Sequence, residues 1–205
     1  MHASSASLTG RIAFALALVA IIGLVFITLF YTLIESGSNP FGTLNDVCVA
    51  LGGILSAGLI WKLYPTHRSH APRESSFTLR IGLVGACLVP IGSGLVIFNV
   101  TGWFLAGLVT TFGYAMIGLW LVELNNSALR WAAFPRILAQ YGIITGWIMV
   151  IGIFAGPGIL ARTDSMETAQ WFVLIALYTG GLGWNILYTI WCIGLGRLLL
   201  INGYR

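Results

Sequence analysis

Long apolar stretches separated by short polar ones set the pattern of this chain. Six stretches, 12–34, 44–64, 81–98, 103–122, 137–156 and 170–196, each offer roughly the 20 apolar residues that a helix needs to cross the hydrocarbon of a bilayer. The third and fourth are separated only by Asn99-Val100-Thr101-Gly102, because no charge lies between Arg80 and Glu123. That run is too long for one crossing, and its turn residues divide it. So short a connection makes the two helices antiparallel neighbours. The pattern predicts an all-α integral membrane protein, a six-transmembrane-helix bundle of three antiparallel hairpins, forming a single membrane domain over residues 1–205.

The polar connections are equally short. The first, from Glu35, holds Ser36-Gly37-Ser38-Asn39-Pro40, and the second, 65–78, is polar with two prolines. The fourth, 123–136, mixes Asn125, Asn126 and Arg130 with Trp131 and Phe134, and reads as an amphipathic stretch lying in the membrane interface. The fifth, 157–169, carries Arg162, Asp164 and Glu167. The first apolar stretch is too long for a secretory signal and is closed by no A-x-A site, so it reads as a retained span.

Composition agrees. Of the 205 residues 58% are hydrophobic and 8% charged, against about a quarter charged in a soluble domain. The net charge of +4 could suggest nucleic acid, but the positions of the charges argue for topology instead. With the N-terminus in the cytoplasm and the spans alternating, Arg11, Lys62, Arg68, Arg73, Arg80, Arg130, Arg136, Arg197 and Arg205 fall inside. Of the ten basic residues only Arg162 falls outside. This is the positive-inside pattern, and it expects both termini cytoplasmic and contact with membrane lipids, including anionic heads, but not with nucleic acid. Glu35, Asp46, Asp164 and Glu167 fall outside. The lack of targeting signals points to a prokaryotic plasma membrane.

Aromatic residues sharpen the picture. Trp61, Tyr64, Trp120 and Trp131 fall at the inner interface and Trp103, Phe104, Trp171 and Phe172 at the outer one, where amphipathic rings settle. Trp147, Trp184 and Trp191 lie deeper and are expected between helices. Arg11-Ile12, Arg80-Ile81 and Arg136-Ile137 open the odd-numbered stretches alike. Any inward helix end would give the same echo.

Candidate chemistry is sparse. The one lysine, Lys62, stands at a helix end, which does not suit a retinal Schiff base. His2, His67 and His70 lie outside the spans, so haem held between helices is not expected. His67 and His70 have helical spacing but read as a solvated loop pair. Cys48, Cys87 and Cys192 sit in apolar stretches as small hydrophobes. No cofactor, metal or catalytic residue is expected. Thr43-Leu44-Asn45-Asp46 matches a capping box, so Thr43 should cap the second span and Asp46 should face the positive end of its dipole. Glu123 should pair with Arg130. Pro90 should kink the third span. The 26 glycines, Gly142 and Gly146 among them, should let helix backbones approach closely.

The sixth stretch stands apart. It is longer than a straight crossing needs, and Gly180-Gly181-Leu182-Gly183 is the softest point in any span. Trp184, Asn185 and Tyr188 follow at once, with Thr110, Thr111 and Tyr114 of the fourth span at similar depth. Two outcomes are open: the glycines admit a neighbouring helix and Asn185 bonds to it, or a local bend opens a small pocket lined by Trp147, Trp184, Asn185 and Tyr188. The expected function is that of a non-catalytic helix-packing or accessory subunit, partnered by other membrane subunits or by copies of itself. The alternative is a carrier or channel for a small neutral or apolar solute.

Overall fold

The computed structural model describes residues 3–33, 40–70 and 72–202. The expected turn at 36–39, with Ile34 and Glu35 beside it, lies outside the described residues, as do His2 and Arg205. Of His70 and Arg73 only the backbone is described.

The described residues form helices and connecting turns, with no strand. In order these are α1 (Ala3–Thr32), α2 (Phe41–His70), α3 (Pro72–Ile97), α4 (Trp103–Arg130), α5 (Arg136–Val150), α6 (Gly156–Leu160), α7 (Trp171–Leu182) and α8 (Tyr188–Asn202). A 3₁₀ turn, Ile151–Ala155, joins α5 to α6, and a π-helical turn, Gly183–Leu187, joins α7 to α8. The two pairs run on as single rods, so among the described residues there are six helices long and apolar enough to cross a membrane.

The apolar cores of these rods agree with the sequence, but their polar ends do not. α2 passes through Pro65 to His70 and α3 begins at Pro72, so most of the expected loop 65–78 is helix. Pro65 costs α2 the bond its own nitrogen cannot donate and crowds the carbonyl one turn back, yet the helix continues through it. His67, expected in a solvated loop, is 4% exposed on α2. α4 likewise runs through Glu123 to Arg130, where an interfacial stretch was expected. Asn125 is fully buried there, and its side-chain amide donates to the Leu121 carbonyl at 2.8 Å. Glu123 does pair with Arg130, at 3.0 Å, and Glu74 of α3 stands 3.7 Å from the same guanidinium.

α2 also begins earlier than expected. The Leu44 amide donates to the Pro40 carbonyl at 3.1 Å, the first bond of the helix. Thr43 therefore sits inside the first turn and is exposed, not at the cap, and half-buried Asp46 lies one turn further on. Pro40, whose ring fixes φ and whose nitrogen donates nothing, stands at the cap position instead.

Consecutive helices pack side by side from α1 to α5, and α8 returns to lie along α1. α4 is the most enclosed, with 67% of its apolar window buried against 22% for α1. Glycine makes this possible on both of its flanks. A Cβ on Gly113 would stand 2.8 Å from the Gly85 carbonyl oxygen of α3, and Gly118 and Gly146 of α5 face each other at the same 2.8 Å. Side chains there would collide with backbone, so the helices cross at van der Waals distance, as small residues allow. Gly142, one turn before Gly146, faces the Asn125 side chain. Gly10 and Gly196 repeat the device where α1 meets α8, at 3.3 and 3.2 Å from each other's carbonyls.

Pro90 does not break α3. Gly53 of α2 leaves the space that its ring fills, 2.7 Å from where a Cβ would stand. Two rings expected at interfaces, Trp120 and Phe104, are in the core at 1% and 0% exposure. Both lie on α4, whose enclosure leaves few outward positions. Trp61, Trp103, Trp131 and Trp171 are exposed.

α3, α4 and α6 end alike. Asn99, Ala132 and Arg162 take left-handed φ of 54°, 52° and 52°. The following amides, of Val100, Ala133 and Thr163, reach back five residues to Leu95, Ala128 and Gly158 at 2.8, 3.0 and 2.9 Å. This reverses the chain while satisfying terminal carbonyls. The start of α4 is capped from a distance. Both oxygens of Asp164, in the turn after α6, accept amides of α4, Gly102 at 2.9 Å and Leu105 at 3.1 Å.

Candidate functional site

The sixth rod changes neighbour at the π turn. Below it α8 packs along α1; above it α7 packs on the 3₁₀ segment Ile151–Ala155, on α4 and on α5. A π turn carries one residue more than an α turn of the same hydrogen-bonded span, so it redirects the helix, and such turns recur at functional sites. Gly183 sets the turn against α5: a Cβ there would stand 2.9 Å from the Met149 side chain.

At this level a wedge lies between the α1–α2 pair and the π turn with the start of α8. It is a cleft narrow enough that its interior holds about one water. α1 contributes Leu16, Val19, Ala20 and Gly23, and α2 contributes Asn45, Cys48, Val49 and Gly52. Both sets have the i, i+3, i+4, i+7 spacing of one helix face. Tyr114 of α4 forms the back, and Trp184, Asn185 and Tyr188 close the third side.

Aromatic stacking fixes that side. Tyr114 and Trp184 lie parallel, with centroids 4.5 Å apart and 1° between planes. Tyr188 stacks on Trp191 at 5.9 Å, and its hydroxyl donates to Ser56 at 3.4 Å. Gly52 makes room for the Tyr114 hydroxyl, which stands 2.9 Å from where a Cβ would be. Among the described residues, the Asn45 and Asn185 amides and the Tyr114 hydroxyl have no hydrogen-bond partner. No ionisable carboxylate, ammonium, guanidinium or imidazole lines the cleft.

Of the residues that sequence singled out, Trp184, Asn185, Tyr188 and Tyr114 come together here, and five do not. Trp147 is 56% exposed, because α5 turns Gly142, Thr145, Gly146 and Met149 inward and position 147 lies on the other side. Thr110 packs against Gly92 of α3. Thr111 fits between Gly152 and Gly180, 2.8 Å from where a Cβ on the latter would stand. Thr43 and Asp46 do not line the cleft.

Sequence reasoning missed Asn45, Cys48 and Gly23. The face spacing that they share with their neighbours was the available signal, but the capping-box reading absorbed Asn45. It also missed a second polar cluster. Asn125 accepts from the Trp191 indole at 3.2 Å, both groups fully buried. No group of three or more histidine, cysteine or acidic side chains suited to a metal ion occurs among the described residues.

Comparison of the chain with protein-family models, with curated proteins and with solved structures gave no match.

Proposed function

We propose that this chain is a multi-pass integral membrane protein that serves, without catalysis of its own, as a helix-packing or accessory subunit of a membrane assembly. What favours a membrane is the outer surface. Leu18, Val25, Ile54, Val84, Ile91, Ile144 and Ile190 are all half exposed or more, on five different helices. So large an apolar surface is not tolerated in water. On this reading both termini lie in the cytoplasm of a prokaryotic cell and the helices run as three antiparallel hairpins.

The observation that carries the subunit role is the closure of the interior. Backbone-to-backbone crossings pin α4 between α3 and α5, and the cleft at the π turn holds about one water. That favours a rigid packing element over a moving one. Native mass spectrometry after mild detergent extraction from the native membrane tests it. The expected species is an assembly of defined stoichiometry, either several copies of the 22.1 kDa chain or the chain with another subunit. A lone 22.1 kDa species under conditions that keep known assemblies intact would overturn it.

A second reading, a carrier or channel for a small neutral or apolar solute, is favoured by one feature, the cleft with its unpaired amides beside a π turn. Solute-dependent flux in vesicles containing only this protein would support it.

A further inference from the structure

The cleft at the π turn has the chemistry of a recognition site. Its polar groups are Asn45 on one wall, Asn185 on the other and the Tyr114 hydroxyl behind them. An amide can donate two hydrogen bonds and accept two. In a setting of low dielectric, leaving such groups unmatched is costly. Both asparagines line the same water-sized space, and no neighbouring residue bonds either amide. The remaining walls, Leu16, Val19, Ala20 and Val49, are apolar.

We propose that this wedge binds a neutral guest whose hydroxyl head occupies the space lined by Asn45 and Asn185, with a short apolar tail along α1. The head is neutral because nothing ionised lines the cleft to offset a charge. It carries both a donor and an acceptor because the amides offer both. It is about the size of the single water for which there is room. The parallel Tyr114–Trp184 pair, 4.5 Å between centroids, holds the back wall rigid, so the head meets a preformed surface. The tail lies toward the mouth, where Val19 and Ala20 are half-buried.

The inference rests on the bundle lying in a bilayer, but not on its serving as a subunit. The protein in phosphatidylcholine vesicles is irradiated with a diazirine-bearing octanol and the adducts are mapped by mass spectrometry. Labelling should concentrate at 16–23, 45–52 and 184–188, and excess 1-octanol should reduce it there several-fold while octane does not. Competition by ethanol instead of octanol would also support the site, with its guest drawn from water. Competition by neither overturns it, and so does equal competition by octane, which would mean simple apolar filling. Asn185→Leu and Asn45→Leu should each abolish the competed labelling, and its persistence in both overturns the proposal. The octanol and octane comparison uses the unaltered chain, so it stands if either variant fails to fold. Release of the protein from vesicles by alkaline wash would sink the membrane reading instead, and is measured first.

Discussion

Single residues do two kinds of work in this bundle, and each can be tested separately. Asn125 satisfies the Trp191 indole inside the core and packs against the bare backbone of Gly142. Asn125→Ala removes the acceptor and leaves a buried N–H unmatched, so stability in detergent should fall by about 1–3 kcal/mol. Trp191→Phe also costs core packing, so the double variant should lose more than either single one but less than their sum, since amide and indole form one unit. Additive losses in thermal unfolding would contradict the pairing. Ala132 represents the second kind, a backbone role. Its φ of 52° crowds Cβ against the following carbonyl, a cost of roughly 1–2 kcal/mol that glycine avoids. Ala132→Gly should therefore stabilise, by about 0.5–1 kcal/mol once glycine's greater unfolded freedom is counted. A lowered unfolding temperature would show that the Ala132 methyl has a packing role. Neither position was legible in the sequence. Asn125 looked like a loop residue because it follows Glu123 in a polar run, and no local signal says that the chain stays helical there.

At the scale of elements, apolar runs were easy to read and helix ends were not. A run of 20 or so apolar residues has few alternatives to a helix, whereas a polar residue beyond it fits a loop or further turns of helix equally well. α2 is 30 residues long, about 45 Å at 1.5 Å per residue, and so exceeds a hydrocarbon thickness near 30 Å. Packing among the ends of α2, α3 and α4, including the Glu74–Arg130–Glu123 cluster, keeps the extra turns helical. The soft point of the sixth rod was legible from Gly180, Gly181 and Gly183, and it became a π turn. Which residues would surround it was only partly legible, because that depends on which face α5 presents.

The glycines need the same distinction. Gly146 meets the α4 backbone, whereas Gly58 has nothing within 4 Å of where a Cβ would stand. Gly146→Ala should destabilise by about 1–3 kcal/mol through overpacking. Gly58→Ala should be neutral, or stabilise by up to about 1 kcal/mol through helix propensity. Equal effects of the two in a melting comparison would mean that the α4–α5 crossing does not depend on close approach.

At the scale of the whole molecule, the proposed orientation makes the most direct prediction. Reporter domains fused after Ser127 and after Asp164 should report opposite sides of the membrane, the first cytoplasmic. The same side for both would remove the even number of crossings on which the positive-inside argument depends. Asp164 has a structural task on its own side, since it receives the Gly102 and Leu105 amides at the start of α4. Asp164→Ala should cost roughly 1 kcal/mol, as lost helix caps do. The melting temperature would show it, and an unchanged value would mean that solvent replaces the carboxylate without loss. The bundle's organisation around α4 could not be read from hairpins in the sequence, since it is set by which glycines of neighbouring helices meet, Gly85 with Gly113 and Gly118 with Gly146.

The contact of Gly10 with Gly196 and Leu200 bears on how the molecule is made. α1 leaves the ribosome before α8, yet each is the other's neighbour. Until α8 is made, the α1 flank that it will cover has, in the proposed membrane, only lipid or another protein against it, and that side of the bundle stays open. Closure therefore waits for the sixth rod, and bulk at position 10 or 196 would obstruct it. A nascent chain with Gly196→Leu should insert all its helices normally and still remain open, sensitive to protease and prone to capture by membrane quality control. In pulse-chase, it should mature slowly from a fully inserted form. Immediate degradation before insertion is complete would place the defect earlier than the closing of the bundle.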